Sequence, residues 1–252
     1  PTPVSAVFSG VMLNCALYCI LRYLPIVEAA SGSTGRAHAI LLFIGFLSLL
    51  FSAVFIPVQY DIKRMLAYCS VEHVGIMAVG LGIGGLGTFA ALLHTTNHCF
   101  AKVLSFFAAG QLAETYGTRD MRSISGAIHR EPVWGSAFLI SVLALIGVAP
   151  FSVFISELLT LKSVFGEGRY VLLAASLLCM LAIFMGMLHH ALNVSFGARS
   201  SIGRTGPSPR LLDTGLVFLC VGVLLILGLW IPEGFRNFLE AASAAVEYGV
   251  QL

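Results

Sequence analysis

Seven apolar windows run along the chain, at approximately 4–24, 37–58, 65–83, 86–113, 132–165, 170–196 and 211–231. Each is long enough to cross ~30 Å of hydrocarbon, which takes ~20 residues as a helix. None alternates with the period of two that a membrane barrel needs, and backbone groups facing lipid must otherwise be satisfied inside helices. The pattern therefore predicts an all-α, polytopic transmembrane bundle of about seven membrane helices over residues 1–231. Beyond it, Phe235, Phe238, Leu239, Ala242 and Val246 recur at helical spacing opposite Arg236, Glu240 and Glu247. That spacing predicts an amphipathic helix over 232–252, lying along the membrane interface or against a neighbouring subunit.

The fifth window is too long for one straight crossing. Its span would reach ~51 Å at 1.5 Å per residue, and Gly147-Val148-Ala149-Pro150 sits near its middle, so the helix is expected to break there. A break frees backbone groups that are tolerable only where they line a cavity, and Glu157 follows seven residues after the proline. Glu157 is thus a candidate proton carrier; the structural alternative is an ion pair with a lysine of a neighbouring helix. Lys162 and Glu167 lie nearer the end, where a lysine snorkels to the interface.

Composition adds that 58% of residues are hydrophobic and 10% charged, far from a soluble domain. A net charge of +2, with scattered basic residues, excludes a nucleic-acid-binding protein. Lys63, Arg64, Arg119, Arg122, Arg130, Arg199, Arg204 and Arg210 fall on one side of the alternating spans, against Arg22, Arg36, Arg169 and Arg236 on the other. This bias predicts a multi-pass protein of the cytoplasmic membrane with residue 1 on the cytoplasmic side and the carboxyl end outside. The chain opens Pro1-Thr2-Pro3 without a methionine or a signal peptide, which reads as the interior of a longer protein.

Candidate chemistry gathers in the fourth window. His94, His98 and Lys102 recur at intervals of four and share one helical stripe, with Asn97 beside them. A charged side chain at mid-membrane costs ~2.5 kcal/mol or more unless it faces water or a partner, so such a stripe marks a proton path. For a lone intramembrane histidine the alternative is an ordinary helix-packing contact. Glu72 and His73 are consecutive and point ~100° apart, so one is expected to line the path while the other meets a neighbouring helix. His189, with His190, sits near the cytoplasmic end of its span, as an exit group or an interfacial one. Asn14, in the first span, is a relay candidate or a helix–helix hydrogen bonder.

Other signals subtract. Cys15, Cys19, Cys69, Cys99, Cys179 and Cys220 form no C-x-x-C pair and read as packing residues, so no iron–sulfur, nickel or zinc site, no cofactor site and no redox-catalytic site is read in this chain. Gly80-Leu81-Gly82-Ile83-Gly84-Gly85 matches G-x-G-x-x-G, but it closes a membrane helix instead of following a strand. Its glycines instead serve close helix packing and a tight turn.

Three ordered motifs carry a resemblance: the run Asp61 to Ser70, then His94-x-x-x-His98-x-x-x-Lys102, then Gly147-x-x-Pro150 leading to Ser156-Glu157. Together they resemble the antiporter-like proton-pumping subunits of respiratory complex I, multisubunit cation/proton antiporters and membrane-bound nickel–iron hydrogenases. Val71-Glu72-His73 and the run Leu13 to Tyr18 resemble most the F-type subunits of hydrogenase-4, of formate hydrogenlyase-type complexes. The residues Pro1 to Ala6 resemble the loop entering that family's eighth helix, which implies that some seven helices, and the family's Glu–Lys pair, precede residue 1. By position, Lys102 matches the family's central relay lysine, His94 and His98 its histidine partners, and Glu157 the terminal titratable residue of the broken helix. Asn14 departs from the pattern, where some members carry lysine and others a histidine five residues earlier, at this chain's Ser9.

The resemblance implies a proton-translocating subunit, with the nickel–iron and iron–sulfur centres housed in a peripheral redox arm and with lipid and other membrane subunits as partners. The alternatives are a complex I-type or cation/proton antiporter subunit carrying Na⁺ or K⁺, and a non-conducting membrane scaffold.

Overall fold

The computed structural model describes residues 2–31, 35–198 and 211–248. Pro1, Arg199, Arg204, Arg210 and 249–252 lie outside the described residues, so the basic-residue bias rests structurally on the remaining positions. Among the described residues the chain is all-α apart from one isolated bridge between Asp61 and Asp120. The helices are α1 (Thr2–Val7), α2 (Leu13–Ser31), α3 (Arg36–Phe55), α4 (Ile62–Ile83), α5 (Leu86–Tyr116), α6 (Ala127–Arg130), α7 (Pro132–Leu145), α8 (Ser152–Gly166), α9 (Tyr170–Phe196), α10 (Leu211–Leu229) and α11 (Glu233–Tyr248). A π-helical turn, Phe8–Met12, joins α1 to α2, so Thr2–Ala30 runs as one crossing.

Five described helical segments are long and apolar enough to cross a membrane: Thr2–Ala30, α3, α4, α9 and α10. The other two expected windows differ in kind. The fourth is a single 31-residue helix, α5, whose His, Asn and Lys stripe lowers its hydropathy. The fifth is two shorter helices, α7 and α8, parted at 146–151, and Gly147 there takes a left-handed φ of +68° that favours glycine.

Loop contacts fix the threading. At one end, Ile62 N donates to Arg119 O (3.0 Å) and Met121 N to Tyr60 O (2.8 Å), and Lys63 Nζ reaches Thr2 Oγ1 (2.9 Å). The chain's start and the α3–α4 and α5–α6 loops therefore share that end. Asp61 caps α4 there by accepting from Lys63 N and Arg64 N. In the same loops the Arg122 guanidinium, bonded to both Asp120 carboxylate oxygens, holds that carboxyl below its ordinary range. At the opposite end Gly85 N donates to the Glu247 carboxylate, which brings α11 over the α4–α5 turn.

Helix α11 buries Leu239 and Ser243 and tucks Val246 against a cluster that includes Leu17, Met77 and Leu81. The stripe packed onto the bundle runs through 239, 243 and 246 at spacings of four and three, which leaves Phe238 on the exposed side of the helix.

The centre of the bundle is α4 and α5. Helix α3 reaches α4 through facing glycines: a Cβ added at Gly45 or at Gly75 would sit 2.8 Å from the other's carbonyl oxygen. Gly75→Val should therefore part these helices and cost about 1–3 kcal/mol, seen as a lower unfolding temperature of the solubilised protein. Gly215→Ala, where an added Cβ meets open space, should leave that temperature unchanged. An unshifted Gly75→Val would refute the close α3–α4 approach.

Candidate functional site

The turn between α4 and α5 sets the site's geometry. Gly84 and Gly85 carry φ of +81° and +54°, conformations open to glycine, and they fold α5 back along α4. Gly80 and Gly87 allow the two backbones to close, since a Cβ at Gly80 would meet Gly87 O at 2.7 Å. Gly84, expected as part of a packing face, belongs to this turn instead. His73 and His94 lie at similar depth, about three turns either side of it.

From the other side, α8 contributes Ser152, Ser156 and Glu157. Glu157 folds back onto the helix break: a Cβ at Gly147 would collide with its carboxylate. Glycine at 147 suits the left-handed backbone there, and any side chain would displace the Glu157 carboxylate from this position.

These three helices hide the whole polar stripe. His73, His94, Asn97, His98 and Lys102 are 0% exposed, and Glu72 and Glu157 are buried. Asn97 Nδ2 donates to Ser152 O (2.9 Å) and Ser156 Oγ (3.2 Å), and Ser156 Oγ donates to Val153 O (2.9 Å). With the hydroxyl proton so engaged, His94 Nδ1 is the donor in its 2.8 Å contact with Ser156 Oγ. Neutral His94 then accepts at Nε2, and the 2.9 Å contact with His73 Nδ1 runs from His73 to His94. The result is a directed chain from His73 through His94 to Ser156. One donor atom each of His73, His94 and Glu157 lies within 4.8 Å of the others, so the carboxylate stands beside this chain.

Lys102 Nζ donates to Leu66 O (2.9 Å), in the same buried region as Glu72, His73 and His98. The His98 ring lies 5.0 Å from that of His73, and neither His98 nitrogen has a hydrogen-bond partner. Leu66 O also accepts from Ser70 Oγ (3.1 Å), which in turn accepts from Ser9 Oγ (2.7 Å). Ser9, on the π-turn, is thereby linked to Lys102 through one carbonyl.

The structure thus brings His94, His98, Lys102 and Glu157 into one buried cluster and adds both Glu72 and His73. Consecutive Glu72 and His73 diverge as their ~100° separation implies, with His73 meeting His94 on α5. Helix α4 is enclosed on most sides, and donor atoms of Cys69, Glu72 and His73 lie within 4.8 Å of one another, so divergent directions still end in the same polar region. Cys69 packs in the apolar core, as expected, with its Sγ at the edge of that region.

Among the described residues no lysine, arginine or histidine pairs with Glu157 at ion-pair distance, and Lys162 is exposed. Asn14 donates to Gly10 O (2.8 Å) and Thr95 O (3.4 Å), a contact to the α5 backbone next to His94. His189 is exposed and bonded to Asn193 (3.0 Å), while His190 meets Pro57 O (3.2 Å); neither joins the cluster. Sequence reasoning missed Ser152, Ser70 and the part played by Ser156. A serine offers no periodic signal in an apolar helix, although Ser152 and Ser156 do share a face at i, i+4.

Residues 1–191 match the family model described as NADH:quinone oxidoreductase/Mrp antiporter, TM, and the chain belongs to that family. It is 43% identical over 199 residues to the hydrogenase-4 component F homolog of Methylacidiphilum infernorum, a match covering 78% of this chain and 41% of that protein. It is 28% identical over 241 residues to the putative antiporter subunit mnhD2 of Staphylococcus saprophyticus, covering 93% of this chain and 47% of that one. The chain spans less than half the length of these two relatives. Its fold matches a chain of the membrane-bound sulfane sulfur reductase, an archaeal respiratory membrane complex, with a TM-score of 0.85 at 24% identity, covering 98% of this chain and 50% of the other.

Ser156→Ala should strip His94 Nδ1 and one Asn97 hydrogen of their acceptor. Leaving such buried donors unpaired costs about 1–3 kcal/mol, read as a lower unfolding temperature. Ser48→Ala, whose hydroxyl bonds only its own helix at Ile44 O, should shift it by less than about 0.5 kcal/mol equivalent. Equal stability of the two variants would remove Ser156 from the chain.

Proposed function

We propose that this chain is a proton-translocating module of an antiporter-like membrane subunit in a respiratory-type hydrogenase complex. Protons pass along His94, His98 and Lys102 toward Glu157, with His73 and Glu72 joining the path. The observation that carries this reading is the buried, bonded run His73–His94–Ser156 with Glu157 beside it. Groups that bind and release protons at hydrogen-bond spacing are what a relay requires. His98, with two unpartnered nitrogens, lies between His73 and the lysine stretch, where a ring flip or an entering water would complete the connection.

Partner subunits supply the driving reaction, and the nickel–iron and iron–sulfur centres belong to them; the resemblance to a hydrogenase-4 component supports this assignment. A second reading, cation/proton exchange along the same axis, draws on the likeness to an antiporter subunit over 93% of the chain. Residues 1–231 form the membrane domain, and the segment from 232 is an interfacial helix. The chain's start and the loops around Lys63 and Arg122 face the cytoplasm, and α11 lies outside.

In the complete complex Lys102→Ala and Glu157→Gln should abolish proton translocation while assembly persists, and Glu157→Asp should retain part of it. Glutamine keeps the shape and hydrogen-bonding capacity of glutamate but cannot release a proton. Proton uptake measured in sealed vesicles, with assembly checked on the same preparation, decides this. A Lys102→Ala complex that still builds a normal gradient makes the lysine structural.

Orientation has a separate check. A tag inserted near Arg122 should react with membrane-impermeant reagent only after cells are opened, and one following Glu247 should react in intact cells. The reverse pattern overturns the sidedness.

A further inference from the structure

Three helices converge on a donor set that a proton relay alone does not require. His73 on α4, His94 on α5 and Glu157 on α8 each place one ligand atom within 4.8 Å of the other two, all of them buried. The geometry points to a binding site for a borderline divalent cation of the zinc class, held by His73 Nδ1, His94 Nε2 and the Glu157 carboxylate.

The fit is close. His73 Nδ1 and His94 Nε2 are 2.9 Å apart, and tetrahedral zinc with bonds of 2.0–2.1 Å needs ligand atoms roughly 3.3 Å apart, so a small opening replaces the shared proton with a metal. His94 is already held for this: its Nδ1 bonds Ser156 at 2.8 Å, which leaves Nε2 as the lone pair facing the site, the way ligating histidines are usually oriented. His73 must carry its proton on Nε2 when Nδ1 binds the cation. That nitrogen is buried without a partner, so the exchange breaks no other hydrogen bond.

Charge agrees. Glu157 and Glu72, the latter within reach of His73, bring two carboxylates to balance a dication, against the one ammonium of Lys102. Two imidazoles and a carboxylate suit zinc, or cobalt as its spectroscopic substitute, rather than magnesium or calcium, which take six or more oxygens. A small cavity lined by Ile76, Val79, Thr160 and Glu157 borders the carboxylate. The neighbouring set Cys69, Glu72 and His73 shares one histidine, but all its ligands come from one helix. The three-helix set is the one clamped by packing.

A cation here occupies the lone pairs that would pass protons, so it blocks the path; this consequence rests on the relay reading above, while the binding itself does not. The test uses zinc on the assembled, chelator-treated membrane complex. Excess metal is removed by desalting and retained zinc is counted by mass spectrometry, with no turnover required. Wild-type complex and His129→Gln, at an exposed histidine outside the cluster, should each retain one zinc more than His73→Gln. Equal retention by wild type and His73→Gln overturns the site.

Should His73→Gln fail to assemble, X-ray absorption on zinc-loaded wild-type complex decides. A shell of nitrogen and oxygen at 2.0–2.2 Å supports the site, and sulfur at about 2.3 Å overturns it in favour of Cys69. Zinc that also slows proton movement in vesicles joins the site to the relay. Zinc retained without slowing supports the site and counts against the relay reading.

Discussion

One constraint organises the molecule: a helix carrying His94, Asn97, His98 and Lys102 has to cross a membrane without showing them to lipid. A charged group at mid-bilayer costs ~2.5–3.5 kcal/mol, while a typical hydrogen bond returns only ~0.5–1.5 kcal/mol net. The few bonds these side chains make, such as Lys102 to Leu66 O, do not offset that cost alone. What remains is enclosure. Helices α4, α7 and α8 wrap α5 so that the stripe is 0% exposed, and the apolar faces of α3, α9 and α10 turn outward, with Phe43, Leu178 and Phe218 exposed.

Enclosure needs backbones closer than ordinary side chains allow. The facing glycines Gly45 and Gly75, and Gly80 and Gly87, meet that need at two successive interfaces. The broken helix solves a different problem. By stopping α7 at Leu145 and restarting at Ser152, the chain places a glycine at the break, and Glu157 fills the space its missing side chain leaves. The carboxylate is thereby brought next to His73 and His94.

How much of this was legible follows from the range of each signal. Periodicity is local, so it found the helices, the stripe and the break at Gly147. The stripe's own chemistry also lowers the hydropathy of α5, although the helix is largely enclosed. Convergence is not local. Nothing in the spacing of Glu72 and His73 shows that a reversed helix brings His94 against His73, and nothing marks Ser156 as the acceptor that orients His94. On α11 the spacing located the helix, but which of its apolar residues pack inward, Leu239 and Val246 and not Phe238, is decided by the docked surface.

The scaffold alternative meets its difficulty in the atoms left unsatisfied. A polar cluster kept for packing alone is favoured when each member is paired, since every buried orphan costs ~1–3 kcal/mol. Here Glu72 Oε2, His73 Nε2 and both nitrogens of His98 are buried without a hydrogen-bond partner. Leucine or methionine at those positions would fill the same volume at no such cost. These four atoms belong to titratable groups of one cluster, whereas the buried unpartnered hydroxyls of Ser176 and Ser195 lie on α9, outside it. The chemical difference lies in the groups themselves: an orphaned serine hydroxyl only loses a hydrogen bond, whereas an imidazole nitrogen or a carboxylate oxygen left open is a group able to bind and release a proton.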